Sequence, residues 1–182
     1  MIRDIKDDVK KVLYSEEQLA KRVKEMAEEI SKDYAGKDLL VVGILKGSVL
    51  FTSDLIKNIT IPCEIDFMAV SSYGNSSQTS GVVRILKDLD SDIENKHVLI
   101  VEDIVDTGTT LSYLLEYLKR KATSIEIVAL LDKEARRTSN VSAKYKGFDV
   151  PDEFIVGYGI DYAEKYRNLP FIGALKEEIY NK

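Results

Sequence analysis

The sequence is poor in several residues that would indicate particular classes of protein. It has no tryptophan, three prolines and a single cysteine in 182 residues. One cysteine cannot form an internal disulfide, so we expect a reducing compartment, the cytoplasm. No apolar run approaches the roughly 20 residues that a membrane-spanning helix needs. The first residues (MIRDIKDDVKKV) lack the apolar core of a signal peptide. We therefore predict a soluble protein without a membrane partner.

The chain also lacks an excess of positive charge. The 31 acidic residues outnumber the 26 lysines and arginines, and the net charge is −5. A general nucleic-acid surface is normally basic, so we expect no nucleic-acid partner. A hydrophobic content of 45% with 31% charged residues is typical of globular proteins. The length suits one domain with a proper core, which we assign to residues 1–182.

One stretch, VLIVEDIVDTGTTL, combines a buried strand with a cluster of acids. The apolar and mostly β-branched run 98–101 predicts a strand buried on both faces. Two acids, Glu102 and Asp103, end this strand, and a third acid, Asp106, follows after two apolar residues. A helix with leucines on one face comes next, and the loop before it consists of Thr107, Gly108, Thr109 and Thr110.

This arrangement favours a phosphate site with a second polar group beside it. The free N–H groups and the dipole at the start of a helix both attract a phosphate monoester. The acids would repel phosphate, so they suit sugar hydroxyls, a metal ion or a centre that becomes positive. The alternative is a buried strand followed by a capped helix. It would leave three acids without partners, at a cost in desolvation.

Strand and helix patterns alternate through the middle of the chain, which predicts an α/β fold. We expect a central, mostly parallel sheet flanked by helices, with a small cap formed by the chain ends. The predicted helices cover residues 16–34 and the segments after Ser48 and Thr110. The other predicted strands are 39–45, 63–70, 82–86, 124–131, 154–157 and 171–175, with a loop at 71–81 and irregular chain at 138–150.

Residues 98–110 resemble the phosphoribosyl diphosphate (PRPP) binding motif of the phosphoribosyltransferases, in which apolar residues and acids precede D-T-G-x-T. Other segments resemble the 6-oxopurine branch, the hypoxanthine(-guanine) phosphoribosyltransferases. They are LKGS at 45–48, Ser72-Tyr73, Lys133 with Arg137 four residues on, and PDEFIVGYGIDY at 151–162. The resemblance covers nearly the whole chain. It implies the type I phosphoribosyltransferase fold and Mg²⁺-dependent transfer from PRPP to hypoxanthine, and to guanine, releasing diphosphate, by a homodimer or homotetramer.

The resemblance also implies roles around the purine base. Asp106 would be the general base, facing N7 of the purine. Lys133 would donate to the 6-oxo group, since an ammonium only donates hydrogen bonds. Phe154 would stack on the base. The main-chain carbonyls of Ile155 and Asp161 would meet the 2-position.

Further roles concern the sugar and the phosphates. Glu102 and Asp103 would accept hydrogen bonds from the ribose hydroxyls, directly or through a metal ion and its water. Asp161 would bind a second Mg²⁺. Ser72 and Tyr73 would close over the diphosphate and exclude water. The 5′-phosphate would bind to Thr107, Gly108, Thr109 and Thr110, and the diphosphate to Lys46, Gly47, Arg137 and Arg167.

Three alternatives stay open. One is a phosphoribosyltransferase for another base, such as xanthine. Another is a non-catalytic PRPP-sensing regulator that binds RNA or DNA, for which a basic face would be expected. The last is a signalling domain of flavodoxin-like fold, which also carries acids at strand ends but needs neither D-T-G-T-T nor the segment 151–162.

Overall fold

A computed structural model describes residues 4–72 and 83–181 of the chain. Its strands are β1 (Val9–Tyr14), β2 (Leu39–Leu45), β3 (Glu64–Ser72), β4 (Val83–Lys87), β5 (His97–Val105), β6 (Ser124–Asp132), β7 (Tyr145–Asp149), β8 (Ile155–Val156) and β9 (Ile172–Leu175). Its α-helices are α1 (Glu16–Asp33), α2 (Val49–Asn58), α3 (Thr109–Leu118) and α4 (Glu177–Tyr180). In the described ranges, no helix is both long and apolar enough to cross a membrane.

The main sheet has six strands in the order β4-β3-β2-β5-β6-β7, and it confirms the predicted α/β class. All neighbours are parallel except β3 and β4, which form an antiparallel pair. Alternate residues of β2 pack on opposite faces, because side chains alternate along a strand. Leu39 and Val41 join a core cluster with α1 and α2, whereas Leu40 and Val42 join one with α3. Helices therefore cover both faces of the sheet.

The chain ends form a second, smaller sheet, as the sequence predicts. Its strand order is β1-β9-β8, and both pairings are antiparallel. The predicted helix over residues 16–34 is confirmed as α1, which begins with a capping box between Ser15 and Gln18. This helix leads from the small sheet into the main one.

The predicted end of the central strand is wrong. The strand β5 continues through both acids to Val105, so Glu102 and Asp103 lie within it and Asp106 follows it. The extension pairs with β6 as far as Val105 opposite Asp132. Pairing with β2 stops at Val101 opposite Gly43. Beyond Val101 one edge of β5 is therefore left open toward the loop that follows β2.

Two other boundaries also differ from the predictions. The segment 138–150 is not wholly irregular, because β7 lies within it as a parallel edge strand beside β6. Its sequence, YKGFD, lacks the regular alternation of apolar and polar residues that would indicate a strand. Its Gly147 packs so close to the carbonyl of Leu130 that a Cβ would collide with that carbonyl. The predicted loop at 71–81 begins too early, because β3 continues through Ser72. The rest of that loop, with Tyr73, lies outside the described residues.

Candidate active site

A cleft of about 570 Å³ opens between the carboxyl ends of β5 and β6 and the small sheet. This is the edge at which ligands bind in open α/β sheets. Five predicted site residues line it, namely Asp106, Lys133, Phe154, Ile155 and Asp161. The sequence predictions missed other lining residues, among them Ile104, Arg136, Glu153 and Tyr180.

Lys133 is held at the wall of this cleft by main-chain contacts. Its N–H donates to the carbonyl of Val105 over 2.9 Å, which joins the ends of β5 and β6. Its side chain is only 9% exposed, and its Nζ lies 3.7 Å from the carboxylate of Asp152. The same Nζ donates to the carbonyl of Glu153 over 2.8 Å. An ammonium has three donors, so it can hold this position and still donate to a ligand.

The carboxylate of Asp106 has two oxygen atoms in different environments. Its Oδ2 lies 3.5 Å from Nη1 of Arg136. Its Oδ1 is buried and has no hydrogen-bond partner among the described residues. A buried acceptor without a partner costs free energy, so the site favours a ligand that brings a donor to it. The ring N–H of a heterocycle is such a donor.

Phe154 gives the cleft an aromatic surface. Its ring is stacked on Tyr180, with centroids 4.7 Å apart, and meets Tyr162 in a T-shaped contact at 5.2 Å. The residue is still 39% exposed, which is unusual for phenylalanine in a folded protein. The carbonyl of Phe154 accepts a hydrogen bond from the N–H of Leu175, so the small sheet fixes the position of the ring. Tyr180 was missed because nothing in the C-terminal sequence places it beside Phe154.

Two neighbouring carboxylates, those of the buried Glu102 and the half-buried Asp103, lie side by side near the end of β5. Burial, together with the neighbouring Asp103, raises the pKa of Glu102 well above its ordinary value. Burial also raises the pKa of Asp103 to about 6, although the N–H of Ile104 and the charge of Arg167 oppose the rise. The pair therefore favours a cation or hydroxyl donors beside it, since either would stabilise the charged form.

The loop after β2 is packed tightly against this pair. A Cβ on Gly47 would collide with the carboxylate of Asp103, and a Cβ on Gly159 would collide with the carbonyl of Gly47. The peptide bond between Leu45 and Lys46 is cis. These close approaches bring the loop after β2, strand β5 and the turn after β8 to one corner of the site.

That corner contains a network of charged side chains. Arg167 contacts Asp161 over 2.9 Å and Glu164 over 3.3 Å, and it donates to the carbonyl of Gly159 over 2.7 Å. Lys46 contacts the same Glu164 over 2.8 Å. The hydrogen bond from Lys46 is the main reason why the pKa of Glu164 lies below its ordinary value. Three residues predicted for diphosphate or metal binding thus meet here, together with Glu164, which the predictions missed.

The loop before α3 has the form expected of a phosphate cradle. Gly108 adopts a φ of +80°, and a Cβ there would also collide with the hydroxyl of Ser139. The carbonyl of Thr107 accepts hydrogen bonds from the N–H groups of Thr138 and Ser139 over 3.1 and 3.2 Å. No side chain caps the N-terminus of α3, which begins at Thr109 and continues with Thr110. The first N–H group of the helix, that of Thr109, donates to Oγ1 of Thr107 over a long 3.5 Å. The start of the helix and the threonine hydroxyls therefore face the same loop.

Arg137 occupies a different place from the other predicted diphosphate residues. Its guanidinium donates to the carbonyls of Asp106 and Val141 and to the carboxylate of Asp132. Its side chain is 14% exposed. The structure therefore brings it to the support of the Asp106 loop and not to Lys46 and Arg167. Ser72 ends β3, and its side chain and Tyr73 lie outside what the structure describes.

The expected metal ligands are Glu102, Asp103 and Asp161. Across the described residues, no group of three or more His, Cys, Asp or Glu side chains could hold a metal ion. Carboxylate oxygens are nevertheless the donors that Mg²⁺ prefers, and Mg²⁺ usually takes its other ligands from water and from substrate phosphates. The adjacent carboxylates of Glu102 and Asp103, whose pKa values are both raised, fit such an ion.

Comparisons with known proteins agree with this geometry. Residues 10–163 match the family model of the phosphoribosyl transferase domain. The chain is 54% identical over 177 residues to a hypoxanthine-guanine phosphoribosyltransferase of Bacillus subtilis (strain 168), covering 97% of this chain and 98% of the relative. A hypoxanthine-guanine phosphoribosyltransferase of Streptococcus thermophilus (strain CNRZ 1066) is 52% identical, with 98% and 99% covered.

A solved structure shows the same level of sequence identity as these relatives. The crystal structure of a hypoxanthine phosphoribosyltransferase from Staphylococcus aureus superposes with a TM-score of 0.96 at 54% identity, and all of both chains is covered. The match extends over the main sheet, the small sheet and the cleft between them. The family model, the near full-length relatives and the shared fold together establish that this chain belongs to the phosphoribosyltransferase family.

Proposed function

We propose that this protein is a purine-salvage enzyme. It transfers the 5-phosphoribosyl group of PRPP to hypoxanthine and to guanine, and it forms IMP or GMP and diphosphate with Mg²⁺ present. One observation carries the proposal: Asp106, Lys133 and Phe154 line the same cleft, and the phosphate cradle at 107–110 directly follows Asp106. The full-length similarity to hypoxanthine-guanine phosphoribosyltransferases supports it.

Recognition of the base rests on Lys133 and its surroundings. The ammonium of Lys133 donates to the 6-oxo group of hypoxanthine or guanine, whereas the 6-amino group of adenine offers it no acceptor. Phe154 stacks on the purine ring. The carbonyls of Ile155 and Asp161 face the 2-position, where they accept from the amino group of guanine. A site with fixed donors and acceptors discriminates strongly, because a wrong base leaves buried groups unpaired.

The ribose and its 5′-phosphate bind along β5 and α3. The N–H groups at the start of α3 and the hydroxyls of Thr107, Thr109 and Thr110 hold the phosphate, while Gly108 lets the loop approach it closely. Glu102 and Asp103 accept from the ribose hydroxyls. Glu102 and Asp103 would hold one Mg²⁺ and Asp161 a second, and these ions would neutralise charge on the diphosphate oxygens.

The reaction exchanges one bond at C1′ of the ribose for another. The bond from C1′ to the diphosphate oxygen breaks while a bond from N9 of the purine to C1′ forms. Asp106 accepts the purine proton at N7 through its unpaired oxygen, which makes N9 more nucleophilic. The carboxylates of Glu102 and Asp103 stabilise the positive charge that develops on the ribose. The electron pair of the broken bond leaves with the diphosphate.

The diphosphate binds at the corner formed by Lys46, Gly47 and Arg167. Arg137 would reach it only by giving up its present contacts, so we assign it first to the support of the Asp106 loop. Closure over the diphosphate by Ser72 and Tyr73 stays a prediction. So do the homodimer or homotetramer and the cytoplasmic location.

A substrate panel tests the proposal. The purified protein is incubated with PRPP, Mg²⁺ and one of hypoxanthine, guanine, xanthine or adenine, and diphosphate release is measured with the ultraviolet spectrum of the nucleotide. We expect turnover with hypoxanthine and guanine. Preference for xanthine would favour the alternative transferase. Binding of PRPP without turnover of any base would favour a non-catalytic regulator.

A further inference from the structure

Glu164 places a carboxylate between the two cations proposed to bind diphosphate. Its Oε2 lies 2.8 Å from Nζ of Lys46, and its Oε1 lies 3.3 Å from Nη2 of Arg167. Each carboxylate oxygen therefore contacts a different cation, in the way that two oxygens of a bound diphosphate would. Within residues 4–72 and 83–181, no other carboxylate lies within ion-pair distance of Lys46.

The backbone fixes Glu164 in this position. Ala163 and Glu164 adopt φ values of +50° and +61°, which residues other than glycine rarely do. An isolated antiparallel bridge joins Tyr162 and Lys165 on either side, and the N–H of Glu164 donates to Asp161 over 2.8 Å. Such conformations persist only where the surroundings enforce them. The turn therefore fixes the backbone of Glu164, while its side chain is 65% exposed.

We propose that Glu164 sets the affinity of the diphosphate subsite by competing with diphosphate for Lys46 and Arg167. The inference rests on the proposed function of that corner. When the subsite is empty, the carboxylate holds both cations in place. When PRPP binds, its diphosphate group displaces the carboxylate. When the product diphosphate leaves, the carboxylate returns, and this return favours release.

The competition has a direction that can be measured. Removing the negative charge at Glu164 removes a competitor, so diphosphate and PRPP should bind more tightly. Contacts between exposed charges are individually weak, and Glu164 has two, so we expect an effect of about three- to tenfold. The turnover number should not rise, because a product that binds more tightly leaves more slowly.

The experiment titrates inorganic diphosphate with Mg²⁺ into the full chain by calorimetry. Glu164→Gln is compared with the wild type and with Glu116→Gln, which makes the same change in net charge at an exposed position on α3. We expect the dissociation constant to fall about three- to tenfold in Glu164→Gln alone. The KM for PRPP should fall in parallel. Unchanged or weaker binding in Glu164→Gln would overturn the inference, as would an equal gain in Glu116→Gln.

A double-mutant cycle keeps the inference separate from folding effects and from the proposed function. In a Lys46→Gln background the substitution of Glu164 should have a much smaller effect, because its closer cationic partner is gone. An effect of the same size in both backgrounds would contradict direct competition. If the wild type neither binds diphosphate nor forms a nucleotide, the proposed function itself is wrong. If it does both while Glu164→Gln behaves as the wild type, only the inference fails.

Discussion

Lys133 donates a hydrogen bond from its Nζ to the main-chain carbonyl of Glu153, over 2.8 Å. This contact joins the end of β6 to the segment that carries Phe154, the next residue in the chain. The proposed donor to the 6-oxo group and the proposed stacking ring therefore occupy fixed positions relative to each other. Preorganised groups of this kind lose little entropy when a ligand binds.

The substitution Lys133→Ala should weaken purine use and leave PRPP binding unchanged. A hydrogen bond from a charged group is worth about 1.5–3 kcal/mol, so we expect kcat/KM for hypoxanthine to fall by about 10- to 100-fold. The measurement is steady-state kinetics with each substrate varied in turn. Lys119→Ala, at an exposed position directly after α3, is the control. A wild type that prefers adenine would contradict the role given to Lys133.

Asp106→Asn tests the proposed general base. Asparagine has nearly the same shape but cannot accept the proton, so nucleotide formation should slow by about 10²- to 10⁴-fold. Binding of PRPP, measured by calorimetry, should stay within about twofold of the wild type. Asp92→Asn provides a control, since Asp92 lies in the turn before β5, at the opposite end of that strand. Full turnover in Asp106→Asn would remove Asp106 from the mechanism.

The residues that sequence reasoning found are those tied to a strand end. Asp106 and Lys133 follow buried apolar runs that the hydrophobic pattern predicts as strands, although β5 continues past its predicted end to Val105. The ends of adjacent parallel strands lie at one edge, so the pattern also predicts that these two residues are close. The same logic predicted the strands β2 and β6 to within one residue.

The predictions fail where a long-range contact decides the outcome. Glu164 and Tyr180 reach the site through the folding of the C-terminal segment. No hydrophobic periodicity in the sequence around them indicates that position. Arg137 has the chain position expected of a diphosphate ligand, but its guanidinium donates hydrogen bonds to Asp132 and to nearby carbonyls. The edge strand β7 exists because β6 offers it a partner. Only the assembled tertiary structure contains that information.

Gly47→Ala should damage the diphosphate corner without strain in the backbone. A Cβ at this position would collide with the carboxylate of Asp103, so either the loop after β2 or that carboxylate has to move. We expect diphosphate binding to weaken at least about tenfold, because misplaced binding groups lose much of their contribution. Gly36→Ala is the matched control, since Gly36 has a φ of +75° and nothing within 4 Å of the added methyl group.

The two glycine variants distinguish a steric collision of the added methyl group from strain in the backbone. Gly36→Ala should lower the free energy of unfolding by about 1 kcal/mol through its left-handed backbone, with diphosphate binding unchanged. Gly47→Ala should instead weaken diphosphate binding more than it lowers the free energy of unfolding. Equal diphosphate affinity in Gly47→Ala and the wild type, measured by calorimetry, would show that Asp103 can move away freely and that the close approach has no role in binding.

Asp66 stabilises the fold in a way that depends on pH. Its buried carboxylate accepts hydrogen bonds from the N–H groups of Phe67, Asp90 and Ser91 over 2.7, 2.8 and 2.9 Å. Burial would raise its pKa, but these donors and the charge of Lys87 outweigh that effect and lower the pKa below 3.8. A lowered folded-state pKa means that the stabilisation is complete above 3.8 and is lost as the pH falls through the folded value.

Asp66→Asn should therefore lower the free energy of unfolding by about 2 kcal/mol at pH 7, since hydrogen bonds to a buried charge are worth about 1.5–3 kcal/mol. The difference from the wild type should shrink as the pH falls below about 4, because the carboxylate gains a proton in the unfolded chain before it does in the folded protein. Urea denaturation at pH 7 and at pH 3 measures both quantities. Asp92 is exposed and lies in the same turn as Asp90 and Ser91. Asp92→Asn should therefore change the free energy of unfolding by less than about 0.5 kcal/mol. A difference for Asp66→Asn that is the same at both pH values would mean that its geometry, and not its charge, holds the turn before β5 against β3.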